Sequence, residues 1–303
     1  MRLLISAIAV LGLATAACGT SRQSGLCGDI NPAPSAEGDS AAVEAEGDAA
    51  WVNRADEAQA RAAIAAWQLA LKISPNNSKL RAKLGRAHYY LADSVLWVKK
   101  NIGDSDTAGA EMIANYREAA NQSELSLGQG YPGYRSKFCA RQPFATALEQ
   151  LDRDSVPAMY WYAASLSRWA LQTSLLEVLN QTDRIRAMID LVKRWDPTYW
   201  YNAADRYMGG YTTKIPFPSG DLPKSREYFD RAIAAAPQYL ATKVVMAEMF
   251  ATKAGDKALF ERLLNEVIAF DLDQAPELRP ENAAEQKKAK YYLDDIDNLV
   301  ETE

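Results

Sequence analysis

From Ala49 to the C-terminus, apolar residues recur every three to four positions, which predicts helix after helix and no strand. Trp51–Ile73 carries Ala63, Trp67, Ala70 and Leu71 on one stripe, and Ser74-Pro75 ends it. Ser78–Lys100 sets Leu80, Leu84, Ala87 and Leu91 on the next stripe, and Asp106–Leu127 follows. Gly128, Gly130, Pro132 and Gly133 then interrupt the pattern, so 125–143 is predicted as loop. Further helices are expected over Val156–Leu179, Thr182–Trp195 and Thr198–Tyr211. A stiff loop, Ile215 to Asp221, leads into Leu222–Ala236, with Asp221 as N-cap and Pro223 in the tolerated first turn. Tyr239–Ala254, Asp256–Phe270 and Glu281–Val300 complete the series.

Two of these helices share one spacing. Ala63, Trp67, Ala70 and Pro75 are matched by Ser225, Phe229, Ala232 and Pro237. The order, small, aromatic, Ala, Pro, is that of the second helix of a tetratricopeptide unit. Small residues let one helix lie against its neighbour, the ring fills the gap, and Pro stops the helix for the turn. A weaker copy runs from Ile185 through Ile189 and Val192 to Pro197. The predicted fold is an all-α, tetratricopeptide-like superhelix of helix hairpins, an α-solenoid able to enclose a central channel, in one domain over 49–303.

The N-terminus reads differently. Arg2 precedes a short apolar run, Leu3 to Leu13, which is too short to span a bilayer. Ala14-Thr15-Ala16-Ala17-Cys18 follows, with small residues directly before a cysteine. This resembles a bacterial lipobox, although Thr15 stands where Leu is commonest. It implies a signal peptide over 1–17, with Cys18 as the acylated first residue of an anchored protein. Gly19 rather than Asp follows, which favours the periplasmic leaflet of the outer membrane by resemblance to enterobacterial sorting. Residues 18–48, rich in Gly, Ser, Pro, Ala and acids, are expected to form a flexible tether.

Composition narrows the chemistry. The 303 residues include 52 Ala, 1 His and 3 Cys, with a formal net charge of −5. That balance is globular and helical and gives no polybasic surface for nucleic acid. A single histidine leaves little from which to build a hydrolytic triad or a His-based metal site, so no catalytic residue, metal or cofactor is expected. With Cys18 acylated, Cys27 and Cys139 form an even pair in an oxidising compartment. They are a candidate disulfide, or else two free thiols. His88, where a repeat would carry Tyr, is expected to be packed.

Ten of the 29 aromatic residues fall between Tyr160 and Tyr211. Tyr160-Trp161-Tyr162 and Tyr199-Trp200-Tyr201 cannot bury every ring on one face of a helix, because neighbours diverge by about 100°. Tyr160, Trp161, Trp169, Trp200, Tyr201 and Tyr207 are therefore the candidates for lining a channel or ligand cavity. The alternative is helix-to-helix packing.

One family joins these features. The stretch Ser219–Ile233, the segment Lys243–Glu248, the helix Asp256–Val267 and the ending Glu281–Lys290 follow one another as in the T component of TRAP transporters, the TatT lipoproteins. The resemblance implies a periplasm-facing lipoprotein that partners a TRAP-type periplasmic solute-binding protein and carries hydrophobic or organic-acid ligands. It also implies a homo-oligomer, by resemblance a trimer. A tetratricopeptide-like scaffold lipoprotein for envelope assembly and a lone lipid-binding protein are the alternatives.

Overall fold

The computed structural model describes residues 22–103, 105–215 and 220–300. The predicted signal peptide and Cys18 lie outside them. Among the described residues every regular element is helical.

The helices come as consecutive hairpins. The first pairs α1 (Ser40–Val52) with α2 (Glu57–Ile73). The second pairs α3 with α4 (Asp106–Gly130). Here α3 runs from Ser78–Tyr90 through a π-helical Leu91–Leu96 to Trp97–Asn101. Two short helices, α5 (Pro132–Cys139) and α6 (Phe144–Leu148), lead to the third hairpin, α7 (Val156–Thr173) with α8 (Leu175–Trp195). The fourth pairs α9 (Tyr199–Lys214) with α10 (Leu222–Ala235). In the fifth, α11 runs through Ala241–Val245, a π-helical Met246–Ala251 and Thr252–Ala254, and pairs with α12 (Lys257–Ala269). The long α13 (Arg279–Asp294) and short α14 (Ile296–Leu299) end the chain.

Capping explains many boundaries. Asp56, Asn77, Ser174, Asp221 and Asp256 each accept a backbone N–H at a helix start. Gly255 turns the end of α11 in the left-handed conformation. Of the residues at the shared spacing, Ala63, Trp67 and Ala70 are buried, as are Phe229 and Ala232. Trp67 packs on Gly47 and Phe229 on Gly209, each across its own hairpin, while Pro75 and Pro237 follow the ends of α2 and α10.

Two expectations need correction. Gly128 does not break a helix; it lies inside α4. A Cβ there would come 2.5 Å from Leu26 Cδ2 and 3.1 Å from Ile30 Cδ1, so this glycine admits the N-terminal segment. For the same reason 22–48 is not a free tether over its described length. Leu26 and Ile30 are buried, α1 begins at Ser40, and Gly47 lies face to face with the Trp67 indole. A disulfide joins Cys27 to Cys139, with Cα atoms 5.5 Å apart. Arg22 pairs with the buried carboxylate of Glu124.

The far end of the chain folds back onto the first two hairpins. Arg54 grips Glu281 through two hydrogen bonds of 3.0 and 2.8 Å. Lys288 reaches Asp93, in the π-helical part of α3, at 2.7 Å. Charged contacts thus tie α13 back to the first third of the chain. One hydrophobic core runs from Leu26 to Met208 and a second from Phe229 to Val300.

Candidate ligand-binding site

A cavity of about 130 Å³ lies between α7, α8 and α9, at the seam of the two cores. Its walls are mostly apolar: Ala164, Leu171, Val178, Ile185, Val245 and Met249. Tyr160, Tyr207 and Tyr211 supply rings with polar edges, and the Ser167 and Tyr207 hydroxyls lie 2.7 Å apart. Leu171 lines this cavity and is 41% exposed; Leu175, Leu176 and Leu179 beyond it are more exposed still. They form an apolar rim at the tip of the α7–α8 hairpin.

A second, more polar cavity of about 50 Å³ adjoins the first. The two share Tyr89, Tyr160, Arg168, Arg206 and Val245, which therefore form the neck between them. Asp93, Glu248, Glu285 and Lys288 line the inner cavity. Arg168 is the only charged residue of α7. It faces two carboxylates, Asp93 at 3.6 Å and Glu248 at 4.0 Å. Each of these sits on a π-helical segment, one in α3 and one in α11. Such bulges swing a side chain out of the regular helical register and are frequent at functional sites.

Electrostatics sharpen the inner cavity. Burial alone would raise the Asp93 carboxyl, but the Lys288 ammonium and the Arg168 guanidinium outweigh it and hold the group below the usual carboxylate range. The Glu285 carboxyl moves the other way because burial dominates there. Burial also raises the phenols of Tyr89 and Tyr239, so they remain neutral donors.

Arg206 is held by an irregularity in α9. Trp200, Tyr201 and Asn202 all have positive φ, of 44, 58 and 56°, a left-handed turn in non-glycine residues. Such a turn costs roughly 1–2 kcal/mol per residue and persists only where its surroundings enforce it. Here they do. The Arg86 guanidinium lies 4.1 Å from the Trp200 ring centroid, and Trp161 packs edge-on against that ring at 5.2 Å. Tyr201 stacks on Tyr239 at 5.0 Å with the planes 6° apart. The Trp200 and Tyr201 carbonyls both accept from Arg206.

The aromatic candidates therefore divide. Tyr160 and Tyr207 line the cavity. Trp161, Trp200 and Tyr201 belong to the wall that fixes the turn, and Trp169 is buried in the core. The periodicity did not single out Tyr89, Arg168, Arg206, Tyr239 or Met249. A lone charge in an otherwise apolar helix was the available signal for Arg168.

The sequence profile described as "TRAP transporter T-component" matches residues 70–300. The chain belongs to the TRAP transporter T-component family. The matched span contains every cavity-lining residue named above. No curated protein matches the chain. The family carries an accessory role in TRAP transport and is not a known enzyme family. No described helix is long and apolar enough to cross a membrane.

Proposed function

We propose that this T component is a lipoprotein anchored through Cys18 in the outer membrane. In this reading its cavity holds a small apolar or amphiphilic ligand exchanged with a TRAP-type solute-binding protein. The observation that carries the reading is the apolar cavity opening beside an exposed leucine rim. Apolar cavities with a few polar groups are the usual form of small-molecule sites. A leucine patch next to the mouth is what a partner would cover during transfer.

The anchoring part of the proposal rests on the lipobox-like sequence and is tested by Cys18→Ala. That variant should leave the membrane fraction and lose palmitate labelling. The transfer part is tested by photocrosslinking in cells from position 176. The expected adduct is a TRAP-type solute-binding protein, and Leu176→Asp with Leu179→Asp should abolish it. An adduct to β-barrel-assembly or cell-wall proteins instead would favour the scaffold alternative. The homo-oligomer belongs to the same proposal, and sedimentation analysis of the purified chain measures it.

A further inference from the structure

We propose that the neck between the two cavities binds the carboxylate head of a single-chain amphiphile, with Arg206 as its ion-pairing group and the chain lying in the outer cavity. This deepens the ligand-cavity reading above and rests on it.

The argument starts from an imbalance. Arg22, Arg54 and Lys288 are deeply buried, and each has a carboxylate partner. Arg206 is 7% exposed, and among the described residues the groups acting on it are tyrosines, with no carboxylate in ion-pair contact. Its donors end on neutral oxygens. Nη1 donates to the Tyr201 carbonyl at 3.0 Å and to Thr242 Oγ1 at 3.4 Å. Nη2 donates to the Tyr160 hydroxyl at 3.1 Å and to the Trp200 carbonyl at 3.2 Å. Arg81, also buried without a carboxylate, lines neither cavity, and its guanidinium is taken up by Gln122, Gln129 and the Pro75 carbonyl. Arg206 lines both cavities.

A buried cation held by dipoles and one ring face, Tyr239 at 4.4 Å, but no anion is costly to maintain in the empty protein, and an entering anion relieves that cost. The two backbone carbonyls hold one donor of each Nη, so an entering carboxylate would displace the Thr242 and Tyr160 hydroxyls, which can rotate away, and take over the two donors they release. Arg168, loosely placed between Asp93 and Glu248, adds positive potential at the same neck. The Asp93 and Glu248 carboxylates limit the site to a small singly charged head. The outer cavity sets the chain length. Its volume is close to the ~150 Å³ of an apolar cavity that admits benzene, so it seats about six to eight carbons, and a longer chain would emerge at the leucine rim.

The test uses the full chain and two probes, octanoate and 1-octanol, with affinities measured by calorimetry at pH 7.5. Wild type should bind octanoate about 10-fold or more tighter than octanol. In Arg206→Met that preference should collapse to within about 2-fold, and Arg206→Lys should keep part of it. Equal binding of the two probes by wild type, or a preference that survives Arg206→Met, overturns the head-group assignment and leaves the cavity reading standing. Binding of neither probe overturns both. If Arg206→Met does not fold, as judged by helical circular dichroism, Arg206→Lys decides. An undiminished preference in that variant contradicts the proposal, and a reduced one supports it.

Discussion

Arg206 and Trp200 are coupled through the backbone: Nη2 of the arginine donates to the carbonyl of the tryptophan at 3.2 Å. One side chain thereby borders the cavities and also fixes the left-handed turn that makes their wall. The strain in that turn is measurable. At Asn202, φ 56°, glycine is conformationally free and a β-branched residue is not. Asn202→Gly should be neutral or slightly stabilising in urea unfolding, whereas Asn202→Val should cost about 1–2 kcal/mol. Equal stabilities would argue against a left-handed turn.

The second repeat match depends on a glycine in the preceding helix. A Cβ at Gly209 would come 2.7 Å from Phe229 Cδ2, against a fully buried ring. Gly209→Ala should therefore destabilise by about 1–3 kcal/mol through overpacking. Combining it with Phe229→Leu should recover part of the loss, which a double-mutant cycle in denaturant would read.

The contact between α13 and α3 depends on Asp93. Asp93→Asn leaves the Lys288 ammonium with Glu285 alone in a buried site and should cost about 3 kcal/mol. Replacing both partners by apolar residues, Asp93→Leu with Lys288→Met, should be less damaging than the single change. Urea midpoints of wild type and the two variants settle the order.

The disulfide between Cys27 and Cys139 spans a sequence separation of 112 residues. Chain entropy for a loop of that size sets an upper bound of about 5 kcal/mol, and a loss of about 2–4 kcal/mol is expected on reduction or in Cys27→Ser. Hydrogen exchange should then quicken first around Leu26 and Ile30, whose seat on Gly128 the bond secures.

His88 gives a pH dependence of known sign. Its Nδ1 lies 2.8 Å from Asn115 Oδ1, its Nε2 is buried without a partner, and burial lowers its pKa. The unfolded chain then binds the proton more readily than the native one. The stability associated with this residue is present above about pH 6.5 and is lost as the pH falls below it. His88→Gln should flatten the urea midpoint between pH 7.5 and 5.5.

The hairpins were legible because their buried stripes follow the helical period and because Asp, Asn, Ser and Pro mark their ends. What escaped was set by tertiary contact. Gly128 looks like a breaker until Leu26 is seen against it. Ser40–Val52 has no continuous apolar face and is held by Glu44 and Asp48 on Lys83 and by Gly47 on Trp67. The ring-rich stretch 160–211 contributes both to the cavity lining and to the wall beside it, and the count alone does not tell these roles apart, since neighbouring rings can equally line a space or support a wall. Arg206 gave no sign at all. Its importance lies in what it lacks, a carboxylate, and that can be read only in three dimensions.

The central claim is that the cavity between α7, α8 and α9 carries a ligand. Native mass spectrometry of the chain purified from its own envelope tests it most directly, comparing wild type with Ala164→Phe, which fills the cavity from α7. The account predicts one small apolar or amphiphilic molecule per wild-type chain, absent from an Ala164→Phe variant of undiminished helicity. A wild-type chain that carries nothing, or a variant that retains the same molecule equally well, would contradict it.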